Sequence, residues 1–387
     1  MHLGYCTNVH PGESVSALRD VLTGDVAAVR KRFRPGVPFG LGLRLGNTAA
    51  TTLSEDSAAR ASFVELLDRE NLYVFTVNGF PYGDFAAERV KADVYRPDWR
   101  TPERRRYTLR VAEVLATFPG PASRTVSTVA GGFKPDTVDS ASQSEIAAGL
   151  LASAQDLSRL ADLTGVRIRL CLEPEPFTTL ETTAEVVAFF ERYLLPAGDV
   201  VRDHLGLCYD CCHQAVQYED PVESLDALAA AGIAIGKIQV SSALVLPNPA
   251  DPAARAALLA FAEPRFLHQV VARMTDGRLL RAVDLPAPGD AAPSLGAEFD
   301  HAESWRCHFH VPIGWEGDTQ LSTTRPDWQA AVRHAAARGL CDHFEVETYT
   351  WGVLPQAHRD ARVRDAGGAL TGALADELQA LATVLGA

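Results

Sequence analysis

The chain has 387 residues, 47% of them hydrophobic and 22% charged, which excludes a disordered polymer and suits one large α/β barrel or two ordinary domains. A formal net charge of -13 argues against nucleic acid or an anionic membrane as the main partner. No run reaches the ~18 apolar residues of a membrane span, residues 1–6 enter a strand pattern without a signal-peptide core, and seven cysteines, most of them in apolar runs, read as the reduced thiols of a cytoplasmic protein.

Residues 3–9 read as a short buried strand, with Asn8, His10 and Glu13 at or just past its end. A helix capped by Ser14 or Ser16 and reaching about residue 33 comes next, then a Gly-punctuated second strand at 39–45 that ends near Arg44. Residues 54–70 are helical, and 72–78 is a third strand rich in aromatic and β-branched residues. The connection 79–101 is long for an α/β turn and carries Phe80, Tyr82, Phe85, Tyr95 and Trp99, as active-site lids and packing loops both do. A helix at 102–118, a fourth strand at 124–129 and an amphipathic helix at 142–163 continue the alternation. Strand five is 166–173 with a helix at 182–194, strand six is 205–209 with a helix at 221–230, and strand seven is 233–240. Residues 243–304 interrupt it with a Pro-Ala-rich linker, a helix over 253–274, a hairpin at 277–285 and a polar loop. Residues 305–313 form an additional strand with His308 and His310 on one face at period two. A helix at 326–338, strand eight at 344–350 and a closing helix at 368–385 complete the chain.

Eight strands alternating with helices predict a (β/α)8 TIM barrel over 1–387, a single domain with an insertion at 243–304 between strands seven and eight. A doubly wound sheet is the main alternative, but it would not bring strands five to eight to one point. In a barrel, the C-terminal strand ends converge on one mouth, and Glu173, Asp210, Gln239 and Glu347 stand at those ends. Carboxylates gathered there repel one another unless a cation lies between them. The four residues therefore predict one divalent ion; oxygen ligands with one imidazole suit Mn2+, Mg2+ or Co2+, with Zn2+ and Fe2+ as alternatives. A single carboxylate of this kind is as readily a helix cap or an arginine partner, and it is the set that points to metal.

His213, one turn beyond strand six, reads as a group on a substrate hydroxyl or a proton shuttle. His308 and His310 have three readings of equal standing: completing the metal shell, binding substrate, or packing within the insertion. Cys208-x-x-Cys211 before His213 has the look of zinc-ligand spacing, but no second such pair exists, and core thiols are the better reading. Asn8, His10 and Asn78 are candidate hydrogen-bonding groups for a small-molecule substrate, and Arg44, Lys237 and Arg306 are candidates to neutralise an anionic group on it.

Glu173 followed by Pro174, Asp210-x-x-His213, a polar residue on strand seven and Glu347 on strand eight resemble the xylose-isomerase-like TIM barrels, over most of the chain. That superfamily holds sugar isomerases, ketose 3-epimerases and inosose dehydratases. More narrowly, Gly4-Tyr5-Cys6-Thr7-Asn8-Val9-His10-Pro11-Gly12-Glu13, Gly40-Leu41-Gly42-Leu43-Arg44-Leu45, Cys208-Tyr209-Asp210-Cys211-Cys212-His213 and His308-Phe309-His310-Val311-Pro312 resemble the EboE-type metabolite traffic proteins. The broader resemblance implies Glu173, Asp210, the strand-seven residue and Glu347 as metal ligands. It also implies that Glu173 and Glu347 act as acid–base groups on opposite faces of a sugar, with His213 near the substrate. Gln239 stands where the superfamily usually has histidine, and the insertion is a second departure. The narrower resemblance implies a role beside other proteins of a biosynthetic cluster, in processing or moving a secondary-metabolite precursor.

The expected function is thus isomerase or epimerase chemistry on a sugar, polyol or hydroxy-carbonyl metabolite through an enediolate, with Glu345 as a stand-in for Glu347. A carrier that keeps the pocket without turnover and a metal-dependent lyase or hydrolase are the alternatives on the same ligands. Homo-oligomerisation is left open.

Overall fold

The structure, a computed structural model, describes residues 1–286, 295–365, 367 and 369–387. Eight parallel strands pair in the order β1 (His2–Tyr5), β13 (His343–Val346), β7 (Ile235–Val240), β6 (Leu205–Asp210), β5 (Arg167–Glu173), β4 (Ser123–Val129), β3 (Leu72–Asn78) and β2 (Phe39–Arg44). A parallel bridge between Cys6 and Gly42 joins the two ends of that order, so the sheet closes on itself as a (β/α)8 barrel. Every residue of β2, β6 and β7 is buried, because one strand face fills the barrel and the other meets the surrounding helices. Those helices start where a side chain satisfies free amides. Ser14 accepts from the Ala17 amide, Thr101 from Arg104 just ahead of Pro102, and Thr182 forms a reciprocal box with Glu185. Gly165 and Gly339, at φ 73° and 62°, end the helices Ser140–Thr164 and Arg325–Arg338.

Several elements differ from expectation, each for a local reason. The helix expected over 253–274 stops at Leu259 (Pro252–Leu259). Pro264 removes an amide donor and biases its predecessor away from helix, and the β-branched Val270 and Val271 begin a strand, β9 (Val270–Arg273). A turn at Asp276-Gly277, with Gly277 at φ 85°, folds β10 (Leu279–Ala282) back on β9. With β8 (Ser242–Leu246), β11 (Ser304–Val311) and β12 (Ser322–Thr323) these make a second, antiparallel sheet ordered β10-β9-β11-β8-β12. The helix expected at 54–70 is two, Asn47–Glu55 and Ser57–Arg69, because Asp56 caps the second. Strand eight ends at Val346, and Asp210 caps an unexpected short helix, Cys211–Val216. The closing helix is Leu370–Leu385; its expected first residue, 368, and residues 287–294 of the expected polar loop lie outside the described residues.

Candidate metal centre

Glu173 closes β5, Asp210 closes β6, and Glu347 follows β13 by one residue. All three are buried, and each offers an oxygen within 4.8 Å of the others. Two amides orient Glu347: Asn8 and Asn78, from beyond β1 and the end of β3, both donate to its Oε1 at 2.8 Å. Asp210 Oδ1 accepts the Ser241 hydroxyl at 2.8 Å and the His213 amide at 2.9 Å. Among the described residues, Glu173 Oε2 and Asp210 Oδ2, although buried, have no hydrogen-bond partner.

Burial pushes Glu173 well above the usual carboxylate range, the Asp210 charge pushes it further, and Lys237 offsets this only in part. Burial and then Glu173 and Asp210 do the same to Glu347. Asp210 stays below its ordinary value: burial alone would raise it, but His213, His310 and its own hydrogen bonds outweigh that. Orphaned oxygens among mutually repelling carboxylates fit a hard divalent cation, whose charge and lone-pair demand answer both defects.

The other expected residues divide. Gln239 lies in register between Asp210 and Glu345, but its Oε1 faces the Cys208 thiol at 2.6 Å. The oxygen expected to complete the metal shell is thus turned to a thiol. The side chains set beside Asp210 are His213, 3.8 Å away, and His310, 4.0 Å away. His310 arrives on β11, where the pairing with β8 slips between Cys307 and Val311, and such an irregularity re-aims side chains. The period-two histidines were visible in the sequence; their place over the mouth depends on an antiparallel pairing that was not.

Three candidate cations are engaged elsewhere. Arg44 pairs with Glu13 and the Gly83 carbonyl, Lys237 pairs with Glu345, and Arg306 with Asp327 and the Ala215 carbonyl. His10 bonds Tyr5 Oη at 3.0 Å and lies near Asp25, away from the carboxylates.

A pocket of about 490 Å3, counting its open mouth, is lined by Glu173 and Glu347, with Asn8, Asn78, His213 and His308 also in its wall. Its roof is aromatic: Phe85 from the 79–101 connection meets Phe266 at 4.8 Å and Tyr349 at 5.2 Å between ring centroids. A network absent from the sequence reading supports one wall. Glu175 Oε1 accepts Tyr95 Oη and Gln269 Nε2, both at 2.8 Å, and burial lifts Glu175 to about 7 against those two bonds. Its only signal was Glu173-Pro174-Glu175, a second acid two residues past the strand end.

No family model and no curated protein matches the sequence. Among solved structures the chain is similar to an IolI protein with a bound zinc atom, at 14% identity over 100% of this chain and 98% of that one, with TM-score 0.51. It is similar to a D-tagatose 3-epimerase-like protein at 14% identity, over 100% and 98% of the two chains, with TM-score 0.50. A third similar structure is a xylose isomerase-like TIM-barrel protein from Mycobacterium smegmatis in complex with magnesium, at 13% identity over 99% and 96%, with TM-score 0.53. At such identities the likeness shows the fold alone: a (β/α)8 barrel, similar in fold to these TIM-barrel proteins.

Proposed function

We propose that the chain is a divalent-metal-dependent isomerase or epimerase acting on a sugar, polyol or hydroxy-carbonyl metabolite. The observation that carries this is the buried trio Glu173, Asp210 and Glu347, with two carboxylate oxygens unpartnered among the described residues and with Glu173 and Glu347 in the wall of the pocket. The names of the similar structures, an epimerase-like protein and barrels with zinc or magnesium, support it.

The three carboxylates would hold the ion, with an imidazole beside Asp210 where Gln239 was expected. Bound there, it would supply Lewis acidity to adjacent carbonyl and hydroxyl oxygens and favour the charge of an enediolate. Glu173 and Glu347 exchange a proton with a substrate carbon. Without the ion, burial and mutual repulsion hold both groups well above the usual carboxylate range, the direction that favours a carboxyl able to give as well as take a proton. Asn8 and Asn78 fix Glu347 through Oε1, and the roof of Phe85, Phe266 and Tyr349 excludes water from the reacting carbon. A simple carrier needs neither the raised pair nor its fixed orientation. The EboE-like strings extend the proposal to a cytoplasmic enzyme that processes a secondary-metabolite precursor beside proteins of its cluster.

Solvent deuterium is expected to enter a substrate carbon with the wild type, and not with a Glu173→Gln variant shown by elemental analysis to retain metal. Equal incorporation by both proteins, or none by the wild type across a panel of ketoses and hydroxy-carbonyl compounds, rejects the reading.

A further inference from the structure

The opposite end of the barrel carries a cluster that the chemistry at the mouth does not use. β1 opens with His2 and β13 with His343, so both side chains stand at the N-terminal end of the parallel strands, away from Glu173, Asp210 and Glu347. The two strands are neighbours and pair His2 with His343, which puts both rings on one face of the sheet. That face is the barrel interior, since His343 reaches Thr125 on β4 and packs against Phe75 on β3 at 5.2 Å between ring centroids. Branched apolar side chains ordinarily fill such an interior. Here two imidazoles do, with the Asp342 carboxylate beside them.

Hydrogen bonding fixes which nitrogens are left over. Thr125 Oγ1 donates its hydrogen to Thr76 Oγ1 at 2.8 Å, so toward His343 Nδ1, 3.2 Å away, it can only accept. His343 Nδ1 therefore carries hydrogen, and in the neutral ring Nε2 is a bare lone pair. Burial, the largest influence, holds that ring down to about 4, so it is neutral near pH 7. Asp342 Oδ1 lies 3.7 Å from this Nε2, beyond hydrogen-bond reach, and a lone pair and a carboxylate face each other with nothing positive between them. His2 Nδ1 faces Tyr73 Oη at 3.3 Å, and its ring stacks on Phe75 at 5.7 Å and meets His343 edge to face at 5.3 Å, which leaves its Nε2 for a ligand. One ligand atom from each of His2, Asp342 and His343 lies within 4.8 Å of the others. Donors around a tetrahedral zinc are about 3.3–3.4 Å apart, and rotation of the exposed Asp342 side chain can close that difference. Thr125 and Tyr73 on the remote nitrogens are the outer support that fixes metal-binding histidines.

We propose that His2, Asp342 and His343 hold a borderline divalent ion, zinc foremost, at the base of the barrel through two imidazole nitrogens and one carboxylate oxygen. That donor set selects this class over Mg2+ or Ca2+, and the exposed side of Asp342 leaves the fourth position to water. The ion ties β1 to β13. On its other side β1 meets β2 through the Cys6–Gly42 bridge, so the tie secures the strand at which the barrel closes. The inference does not need an ion at the mouth, since the two sites share no residue.

The test is zinc per chain, read by elemental analysis on the full chain after chelator stripping, reloading with Zn2+ and desalting. The proteins are the wild type, His2→Phe, Asp342→Ala, and the double variant Glu173→Gln/Glu347→Gln with and without His2→Phe. In both backgrounds His2→Phe is expected to hold about one zinc fewer than its parent. Asp342→Ala should raise the dissociation constant of that ion about tenfold or more, and its exposed position keeps the test decisive if His2→Phe does not fold. A count lowered by His2→Phe but not by Glu173→Gln/Glu347→Gln supports this site and rejects the ion at the mouth; the reverse rejects this site alone. A wild type that holds no zinc overturns the inference. So does a folded His2→Phe protein with its parent's zinc content, or, where that variant does not fold, an Asp342→Ala protein with unchanged zinc affinity.

Discussion

Glu345 and Glu347 stand two residues apart on one run of chain, both buried, and their surroundings are opposite. Glu345 reaches Lys237 on β7 in a fully buried ion pair. Burial alone would lower Lys237, but Glu345 and its other acidic neighbours hold it above its ordinary value. Even the backbone is shaped for that pair, since a Cβ at Gly42 on β2 would collide with the Glu345 carboxylate. Glu347 has two amide donors and no such cation, and its strongest neighbours after burial are Glu173 and Asp210. One carboxylate is neutralised by the fold. The other is left for something the fold does not supply, and that difference separates a structural charge from a binding one.

The sharpest way to break the comparison is to remove the cation from the compensated side. Lys237→Met leaves Glu345 buried and alone, and is expected to cost about 3–5 kcal/mol of unfolding free energy, measured by urea denaturation. Adding Glu345→Leu should restore much of it, because an apolar pair of similar volume replaces an ion pair at small net cost. A loss under about 1 kcal/mol in Lys237→Met would mean that Glu345 is not held by charge at all.

Glu377 sharpens the comparison as an intermediate case, a buried acid with donors but without a close cationic pair. Its Oε1 accepts the Ile313 amide at 2.9 Å and the Thr348 hydroxyl at 2.7 Å, and its Oε2 accepts Trp351 Nε1 at 3.2 Å. Burial still lifts it to about 7, against those three bonds. A carboxyl raised on folding binds its proton more tightly in the native state. Its contribution is therefore fully present below the unfolded value near 4.5, and is lost as pH rises through about 7. The loss across that window is up to about 3 kcal/mol. Glu377→Gln should remove this component of the pH slope, whatever its offset in stability at low pH. An unchanged slope between pH 4.5 and 7.5 would show that the donors satisfy the ionised form.

Much of the barrel was legible because its signals are local. Apolar runs at barrel spacing, a capping residue before most helices and a carboxylate at the end of strands five and six can each be read within a few residues. What was not legible is pairing across the chain. Glu345 and Glu347 look alike in sequence because the lysine that tells them apart is 108 positions away. Gln239 occupied the strand-seven position, yet its partner is a thiol on the neighbouring strand. His308 and His310 were correctly put on one face of an extra strand. Only the antiparallel pairing of β11 with β8 and β9 brings that face over the mouth, and the helix expected across β9 concealed the sheet that does it.

The smallest expected effect is also the one that tests the comparison most directly. In metal-free protein Glu347→Gln keeps an oxygen for Asn8 and Asn78 while removing a charge that Glu173 and Asp210 repel. Its stability should therefore match the wild type or exceed it by about 1 kcal/mol, the reverse in sign of Lys237→Met. Metal restores the order. An ion that binds only the folded state stabilises it by an amount that grows with concentration over its dissociation constant, so the wild type should gain on addition of Mn2+ and the variant should gain less. Paired urea midpoints with and without Mn2+ measure both signs at once. A metal-free Glu347→Gln protein destabilised by more than about 2 kcal/mol would show that Asn8 and Asn78 require the charged form, making Glu347 a structural anion like Glu345.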